Sequence, residues 1–183
     1  MRLAHVALLR GVNVGGAHKL PMSALKTIFE RAGAAHVETL IQSGNVVFEA
    51  REDDAPSIGA EAGAAIFRDF GFEAPIVLRT ASQWRALVAG NPFLAQGEDP
   101  RLLHAICLTG MPSAARIVLL DPVRSPPDRF EARGEDICLH LPNGVARTKL
   151  TNAWFDSTLG VVSTMRNWPT VLKVATALDE RRR

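Results

Sequence analysis

The sequence contains no tyrosine and only two cysteines among its 183 residues. Cys107 and Cys138 form no C-x-x-C motif, so neither a zinc site nor a redox pair is predicted. Both lie in apolar, strand-like runs, which predicts buried and reduced thiols. The aspartates show no spacing typical of metal ligands, and no metal or cofactor is predicted.

Long apolar runs and a strong excess of one charge are also missing. No run reaches membrane-spanning length, and the N-terminus lacks a signal-peptide pattern, so we expect a cytoplasmic location without a membrane partner. The formal net charge is only +2, weaker than is usual for a dedicated nucleic-acid binder. Part of that excess comes from residues 181–183, three arginines for which a solvated, frayed end is predicted.

The motifs of common catalytic sites are absent. Gly11, Gly15 and Gly16 do not form G-x-G-x-x-G, and no Gly-Lys-Ser/Thr follows them. Ser43 does not lie in G-x-S-x-G. No Ser/His/Asp or Cys/His group is evident, and the strand histidines are expected to be structural. The sequence therefore predicts no particular reaction and leaves enzymatic activity open.

The most distinctive stretch runs from Arg10 to Leu20, between an apolar strand pattern and an amphipathic helix pattern. Its three glycines and an asparagine permit unusual dihedral angles and outward-pointing N–H groups, while an arginine and a lysine add positive charge. This is typical of an anion-binding loop. A mobile glycine-rich connection is the alternative, and the sequence does not choose between them.

Hydrophobic periodicity predicts an α+β chain in which the order β-α-β-β-α-β occurs twice. The elements of the first half are expected at 3–10, 21–33, 37–41, 46–49, 56–71 and 74–79, followed by a linking helix at 82–89. Those of the second half are expected at 102–109, 112–120, 129–133, 137–141, 149–159 and 161–165, with a final helix at 168–178. We therefore predict two ferredoxin-like domains in tandem, residues 1–90 and 91–183, each with strand order 4-1-3-2.

This topology brings polar residues from distant loops to one edge of each sheet. The first predicted patch comprises Arg10, Asn13, Gly15, Gly16, Gln42, Ser43 and Asn45. The second comprises Lys149, Arg166 and Asn167, with Arg147 and Asn152 nearby and helix N-termini near Thr148 and Asn167. Helix N-termini and arginines favour anions. Alternatively, these residues cap helices and carry solvated charges.

The leading functional hypothesis is that both patches form one cleft between the halves that binds a small anionic ligand, such as a nucleotide or phosphorylated metabolite. On this hypothesis, Arg166→Ala weakens binding while the fold survives. The alternative for these residues is to tie the halves together, with arginine bonding backbone carbonyls. A nucleic-acid-binding module is a weaker candidate, because stacking aromatics are missing from the central strands. A structural or protein-interaction role is the third, and the oligomeric state is not predicted.

Several short blocks resemble a bacterial family known as domain of unknown function 1697. They are Ala7–Gly16, Ile41–Phe48, Asn91–Phe93, Lys149–Asn152 and Thr164–Trp168, which together span nearly the whole chain. The resemblance implies two ferredoxin-like domains and no activity. Pro169 departs from the asparagine expected after Trp168, so a ligand contact by that amide would be lost here.

Overall fold

The computed structural model describes residues 1–181 and contains two four-stranded antiparallel sheets with helices. The chain divides into two compact units. The first unit is Met1–Arg85 together with the described residues from Lys173 to Arg181, and the second unit is Ala86–Leu172. The predicted domain limits, 1–90 and 91–183, assign the C-terminal helix to the second half and stay a prediction.

The first unit follows the predicted order of elements. They are β1 (Leu3–Leu9), α1 (Met22–Arg31), β2 (Ala35–Leu40), β3 (Asn45–Ala50), α2 (Ala55–Phe70), β4 (Ile76–Thr80) and the start of α3 (Ala81–Ala89). Helix α2 has a proline in its first turn and ends at Gly71 in the left-handed conformation, as helix boundaries commonly do. Its buried stripe includes Ile58, Ala62 and Ile66, which join the core formed with Phe29 and Phe48.

The first sheet has the strand order β2-β3-β1-β4, which is the predicted order 4-1-3-2. Strand β1 is antiparallel to both of its neighbours. The end of β1 and the β2–β3 turn therefore lie at the same edge of the sheet, as expected from the sequence.

The second unit has the strand order β6-β7-β5-β8. Its elements are α4 (Pro92–Ala95), β5 (Leu103–Leu108), α5 (Ala114–Ile117), β6 (Arg129–Arg133), β7 (Asp136–His140), α6 (Asn152–Leu159), β8 (Ser163–Asn167) and the start of α7 (Trp168–Glu180). Ile137, Leu139 and Phe155 belong to its core.

Two helices of the second unit are shorter than predicted. Helix α5 has four residues, and Val118 and Leu119, just beyond it, are 79% and 59% exposed, so no apolar face supports a longer helix. Helix α6 begins at Asn152 rather than Lys149, because Thr151 is its N-cap and accepts a hydrogen bond from the Trp154 N–H. The predicted helix start near Thr148 is therefore wrong.

One register pattern occurs in both units. His5 lies opposite Thr80 and Val6 opposite Arg79 in the first sheet, while His104 lies opposite Asn167 and Ala105 opposite Arg166 in the second. Both arginines are buried, and each donates an Nη1 hydrogen bond to the carbonyl of the preceding residue, at 2.8 Å for Arg79 and 2.9 Å for Arg166. The units thus share residue-level features that the sequence pattern alone did not reveal.

The end of the described chain is well anchored. Arg181 donates hydrogen bonds to the Ala177 carbonyl (2.8 Å) and the His36 carbonyl (3.0 Å) and forms an ion pair with Glu38 (3.1 Å). The predicted frayed end is therefore wrong for Arg181, and Arg182 and Arg183 lie outside the described residues. No helix within residues 1–181 is both long and apolar enough to cross a membrane.

Both cysteines are buried and neither forms a disulfide among the described residues, as predicted. Cys107 lies on β5 and Cys138 on β7, and they are 0% and 1% exposed. Burial raises the pKa of the Cys138 thiol to about 12. Cys138 therefore contains almost no thiolate at neutral pH, and the thiolate is the reactive form.

We predict that neither thiol reacts rapidly with a disulfide reagent in the native protein at pH 8. At a pKa near 12 the Cys138 thiolate fraction is about one in ten thousand, and burial excludes the reagent from both sites. Denaturation in urea should release two reactive thiols. Rapid native labelling of either cysteine, measured by absorbance and located by mass spectrometry, would contradict the buried placement.

Candidate functional site

The glycine loop, defined as residues 10–20, is held by the side chain of Asn13. The Asn13 amide nitrogen donates to the carbonyls of Leu20 and Gln42, both at 2.9 Å, and its oxygen accepts from the Leu20 N–H at 2.8 Å. The Asn13 backbone N–H also donates to the His18 carbonyl at 3.1 Å. Asn13 has a positive φ of 55°, which asparagine tolerates better than most residues. The loop is thus a built structure rather than a loose connection.

His18 fixes the outer part of the glycine loop. Its Nδ1 lies 3.1 Å from the Gly11 carbonyl, and its ring stacks on Phe72 with ring centroids 4.6 Å apart. These contacts join the loop to the segment that follows α2.

The β2–β3 turn, residues 41–44, packs against the glycine loop and the end of β1. The Leu9 N–H donates to the Gly44 carbonyl at 2.8 Å. Gly44 has φ 72°, and a Cβ placed there would lie 2.5 Å from Val12 Cγ2 and 2.8 Å from Leu9 Cβ. Asn45 is fully buried and donates to the Leu40 carbonyl and to Ser43 Oγ. The two loops therefore approach closely only because residue 44 has no side chain.

These loops and the start of α1 enclose a pocket of about 460 Å³, lined by Asn13, Gly16, Ala17, Lys19, Leu20, Pro21, Met22 and Gln42. Lys19 is the only charged residue in this lining. The N-cap residue of α1, Pro21, supplies no side-chain hydrogen bond, and the first turn of α1 contains no acidic residue. The positive end of the helix dipole is therefore not neutralised by the helix itself.

The structure brings the first predicted patch together, but it gives its members different roles. Asn13, Gly16 and Gln42 line the pocket, and Gly15 is exposed beside it in the loop. Ser43 and Asn45 support the turn through their own hydrogen bond. Arg10 is half-buried at the start of the loop, where its backbone N–H donates to the Pro75 carbonyl at 2.9 Å. That these residues contact a ligand stays a prediction.

Lys19 and the first residues of α1 were missing from the predicted site. The signal was available, because the glycine loop leads directly into the amphipathic pattern beginning at Pro21. A loop followed at once by a helix places the N–H groups of that helix beside the loop.

The residues of the second predicted patch do not all face the same pocket. Met165 and Asn167 line a pocket of about 390 Å³ together with His104, Val145, Thr148, Leu150, Thr151 and Asn152. Arg166, between them on the strand, projects from the opposite face of the sheet, because successive strand residues alternate. Lys149 is exposed and is not part of the pocket lining. That this patch and the first share one cleft stays a prediction.

Arg166 is not an open anion-binding arginine. It is 7% exposed, and its Nη1 donates to Thr164 Oγ1 at 2.7 Å and to the Met165 carbonyl at 2.9 Å. Burial lowers the pKa of its guanidinium to about 10, so it is still charged at neutral pH. The sequence-based expectation that Arg166 lies outside the core is therefore wrong, because the residue is buried and bonds to neighbours on its own strand.

The histidines of the two first strands are more unusual than the sequence suggested. His5 Nδ1 lies 2.9 Å from the Leu3 carbonyl, and its Nε2 is buried without a hydrogen-bond partner among the described residues. Nδ1 of His104 likewise makes no hydrogen bond within the described chain. Burial lowers the pKa of both imidazoles, so both are mainly neutral at pH 7.

A family model described as protein of unknown function DUF1697 matches residues 3–137. The chain belongs to this family. This confirms the resemblance found in the sequence. No curated protein matches the chain.

Among solved structures, the chain is similar to "conserved bacterial protein SP0830 from Streptococcus pneumoniae". The TM-score is 0.70 at 20% identity, covering 97% of this chain and 99% of that one. At this identity the similarity concerns the fold alone. Within the fold, Pro169 occupies the second position of α7, where a proline without an N–H is readily accommodated.

We predict that Gly44→Ala destabilises the protein more than Gly71→Ala. Both glycines have positive φ values, 72° and 76°, but only residue 44 lacks space for a Cβ. Both substitutions incur left-handed strain of about 1–2 kcal/mol, and Gly44→Ala adds an overpacking penalty of about 1–3 kcal/mol. Urea unfolding measures both free energies, and equal losses would contradict the close approach of the two loops.

We also predict that Arg166→Ala lowers the free energy of unfolding by about 1.5–3 kcal/mol, because it removes buried hydrogen bonds from a charged group. Arg147→Ala is the control, since Arg147 is exposed, and it should change stability by less than about 0.5 kcal/mol. An Arg166→Ala protein as stable as the parent in urea would show that the buried guanidinium does not support the fold.

Proposed function

We propose that the first unit binds a small anionic metabolite in the pocket between the glycine loop, the β2–β3 turn and the start of α1. The observation that carries this proposal is the uncapped N-terminus of α1 at a pocket whose only charged lining residue is Lys19. Nucleotides and phosphorylated metabolites are the ligand classes that fit such a site best.

The backbone supplies the first set of donors. The Leu25 N–H donates to the Pro21 carbonyl at 3.0 Å, so the N–H groups of the first three residues of α1 precede the first i→i−4 bond. Such groups, together with the helix dipole, favour an anion at the helix start. Lys19 adds a full positive charge, and no carboxylate in the lining opposes it.

The rest of the lining indicates how a ligand would be oriented. Ala17, Leu20, Pro21 and Met22 form an apolar wall suited to the non-ionic part of a metabolite, while Asn13 and Gln42 stand on the loop side. Because the Asn13 amide is already bonded to the backbone, we assign it a positioning role. The proposal confines the site to the first unit and leaves out Arg166, which is buried and hydrogen-bonded in the second unit.

Two further assignments belong to this proposal. We assign both units to the ferredoxin-like class, supported by the repeated element order and the two strand orders. We also assign a cytoplasmic location, supported by two buried cysteines that form no disulfide among the described residues, which is typical of a reducing compartment.

The proposal is tested by measuring the melting temperature of the protein with inorganic phosphate, nucleoside mono- and diphosphates, sugar phosphates and a short single-stranded RNA. A ligand that binds only the folded state stabilises it by RT ln(1 + [L]/Kd) and therefore raises the melting temperature further as its concentration rises above Kd. Calorimetry then gives the dissociation constant of any compound that does so. Stabilisation by the RNA alone would instead favour the nucleic-acid-binding alternative.

We predict that Lys19→Gln weakens binding of the compound that raises the melting temperature by about tenfold or more, the scale for one hydrogen bond to a charged group. Lys26→Gln is the matched control, because it removes the same charge from the exposed side of α1, where Lys26 lies 3.8 Å from Glu30. The control should bind within about twofold of the parent. The pocket would be rejected as the site if both variants weakened binding equally, or if no compound in the panel raised the melting temperature.

A further inference from the structure

We propose that the second unit holds a separate oxyanion site, in the pocket of about 390 Å³ between β5, β8 and the start of α6. Five polar residues line it, namely His104, Thr148, Thr151, Asn152 and Asn167. This site is independent of the proposed function, because all of its residues belong to the second unit.

The hydrogen bonds within the chain leave this pocket rich in donors. The hydroxyl oxygens of Thr148 and Thr151 accept from the N–H groups of Leu150 (3.0 Å) and Trp154 (3.2 Å). An oxygen that accepts from the backbone keeps its own O–H free to donate. Both hydroxyls can therefore donate to a ligand.

The two asparagine side chains have their oxygens turned toward the chain. Asn152 Oδ1 lies 3.3 Å from Ser163 Oγ, whose single O–H donates to Asp156 Oδ1 at 2.6 Å. Asn167 Oδ1 accepts from the Thr170 N–H at 2.9 Å. Their NH₂ groups make no hydrogen bond within the described chain and remain available as donors. Four neutral donor groups thus line one pocket, and the ligand that satisfies them is rich in acceptors.

His104 provides the second, independent observation. Its side chain is on the pocket face of β5, opposite Asn167 in the register, and the residue is only 8% exposed. Its Nδ1 is buried without a hydrogen-bond partner among the described residues. A buried polar side chain without a partner is destabilising unless something else satisfies it, and a ligand in this pocket would do so.

The corresponding place in the first unit shows what is different here. His5 occupies the same register position, and its pocket measures about 180 Å³ and includes Glu52 and Thr80. Glu52 raises the pKa of His5, although burial lowers it more strongly. The first unit therefore carries its own carboxylate beside the histidine. The second unit has neutral donors and a pocket about twice as large, which fits an oxyanion from solution.

The N-terminus of helix α6 also favours a negatively charged ligand. The helix has eight residues and begins at Asn152, with no acidic residue in its first turn. Its positive end and its first N–H groups therefore add to the attraction for an anion. Because the lining contains no lysine or arginine, the site favours a compact phosphate or carboxylate group over a highly charged polyanion.

The test uses the full-length, ¹⁵N-labelled protein, titrated separately with inorganic phosphate and with acetate at constant ionic strength. We expect saturable shifts of the backbone N–H resonances of Asn152 and Ala153 and of the Asn167 side-chain amide. Saturation with phosphate alone identifies a phosphate site, and saturation with acetate as well identifies a general oxyanion site. Absence of saturable shifts at these three groups with either anion overturns the inference, even if first-unit resonances respond.

Two isosteric variants and one control sharpen the test. Asn152→Asp and Asn167→Asp keep the oxygens that face Ser163 Oγ and the Thr170 N–H but replace the donor by a negative charge. Each should weaken anion binding about tenfold or more, whereas Asn143→Asp, which adds the same charge outside the lining, should have less than about a twofold effect. Equal weakening by all three overturns the specific site. Circular dichroism should show native folding for each variant, since aspartate caps and begins helices well.

Discussion

The amide of Asn13 is the constraint on which the first-unit site depends. With three hydrogen bonds it joins the middle of the glycine loop to Leu20, at the end of that loop, and to Gln42 in the β2–β3 turn. These segments are far apart in sequence, and only the antiparallel placement of β1 beside β3 brings them to one edge of the sheet. Gly44 completes the arrangement by allowing Val12 and Leu9 to approach the turn. The shape of the first-unit pocket therefore depends on the Asn13 amide and on the absence of a side chain at residue 44.

Both units share a register but distribute polar groups differently. In each unit, an arginine near the end of the last strand is buried on one face, while the histidine of the first strand lies toward a pocket on the other. The first unit places Glu52 beside its histidine, whereas the second places threonine and asparagine donors there. A shared backbone thus carries two distinct electrostatic environments, because side chains near the helix starts differ while the strand pairing does not.

Arg166 shows why charge in a sequence is a weak guide to a binding site. Arg166 stands beside Asn167 in the chain, and sequence reasoning assigned both to the same patch. On a strand, neighbours point to opposite faces, so Asn167 reaches the pocket and Arg166 does not. The guanidinium is accommodated by bonds to Thr164 and to the Met165 carbonyl, a role that an isolated sequence motif does not reveal.

The sequence alone was enough to predict the order of elements, the strand order in both sheets, the meeting of the glycine loop with the β2–β3 turn and the burial of both cysteines. These follow from local periodicity, turn residues and the limited set of allowed connections, all of which depend on neighbours along the chain. Helix limits at α5 and α6, the use of the Asn13 amide, the burial of Arg166 and the donor-rich pocket at His104 were decided only by tertiary structure. Each depends on which atoms from distant segments meet, because a polar side chain bonds to whatever donor or acceptor folding places beside it.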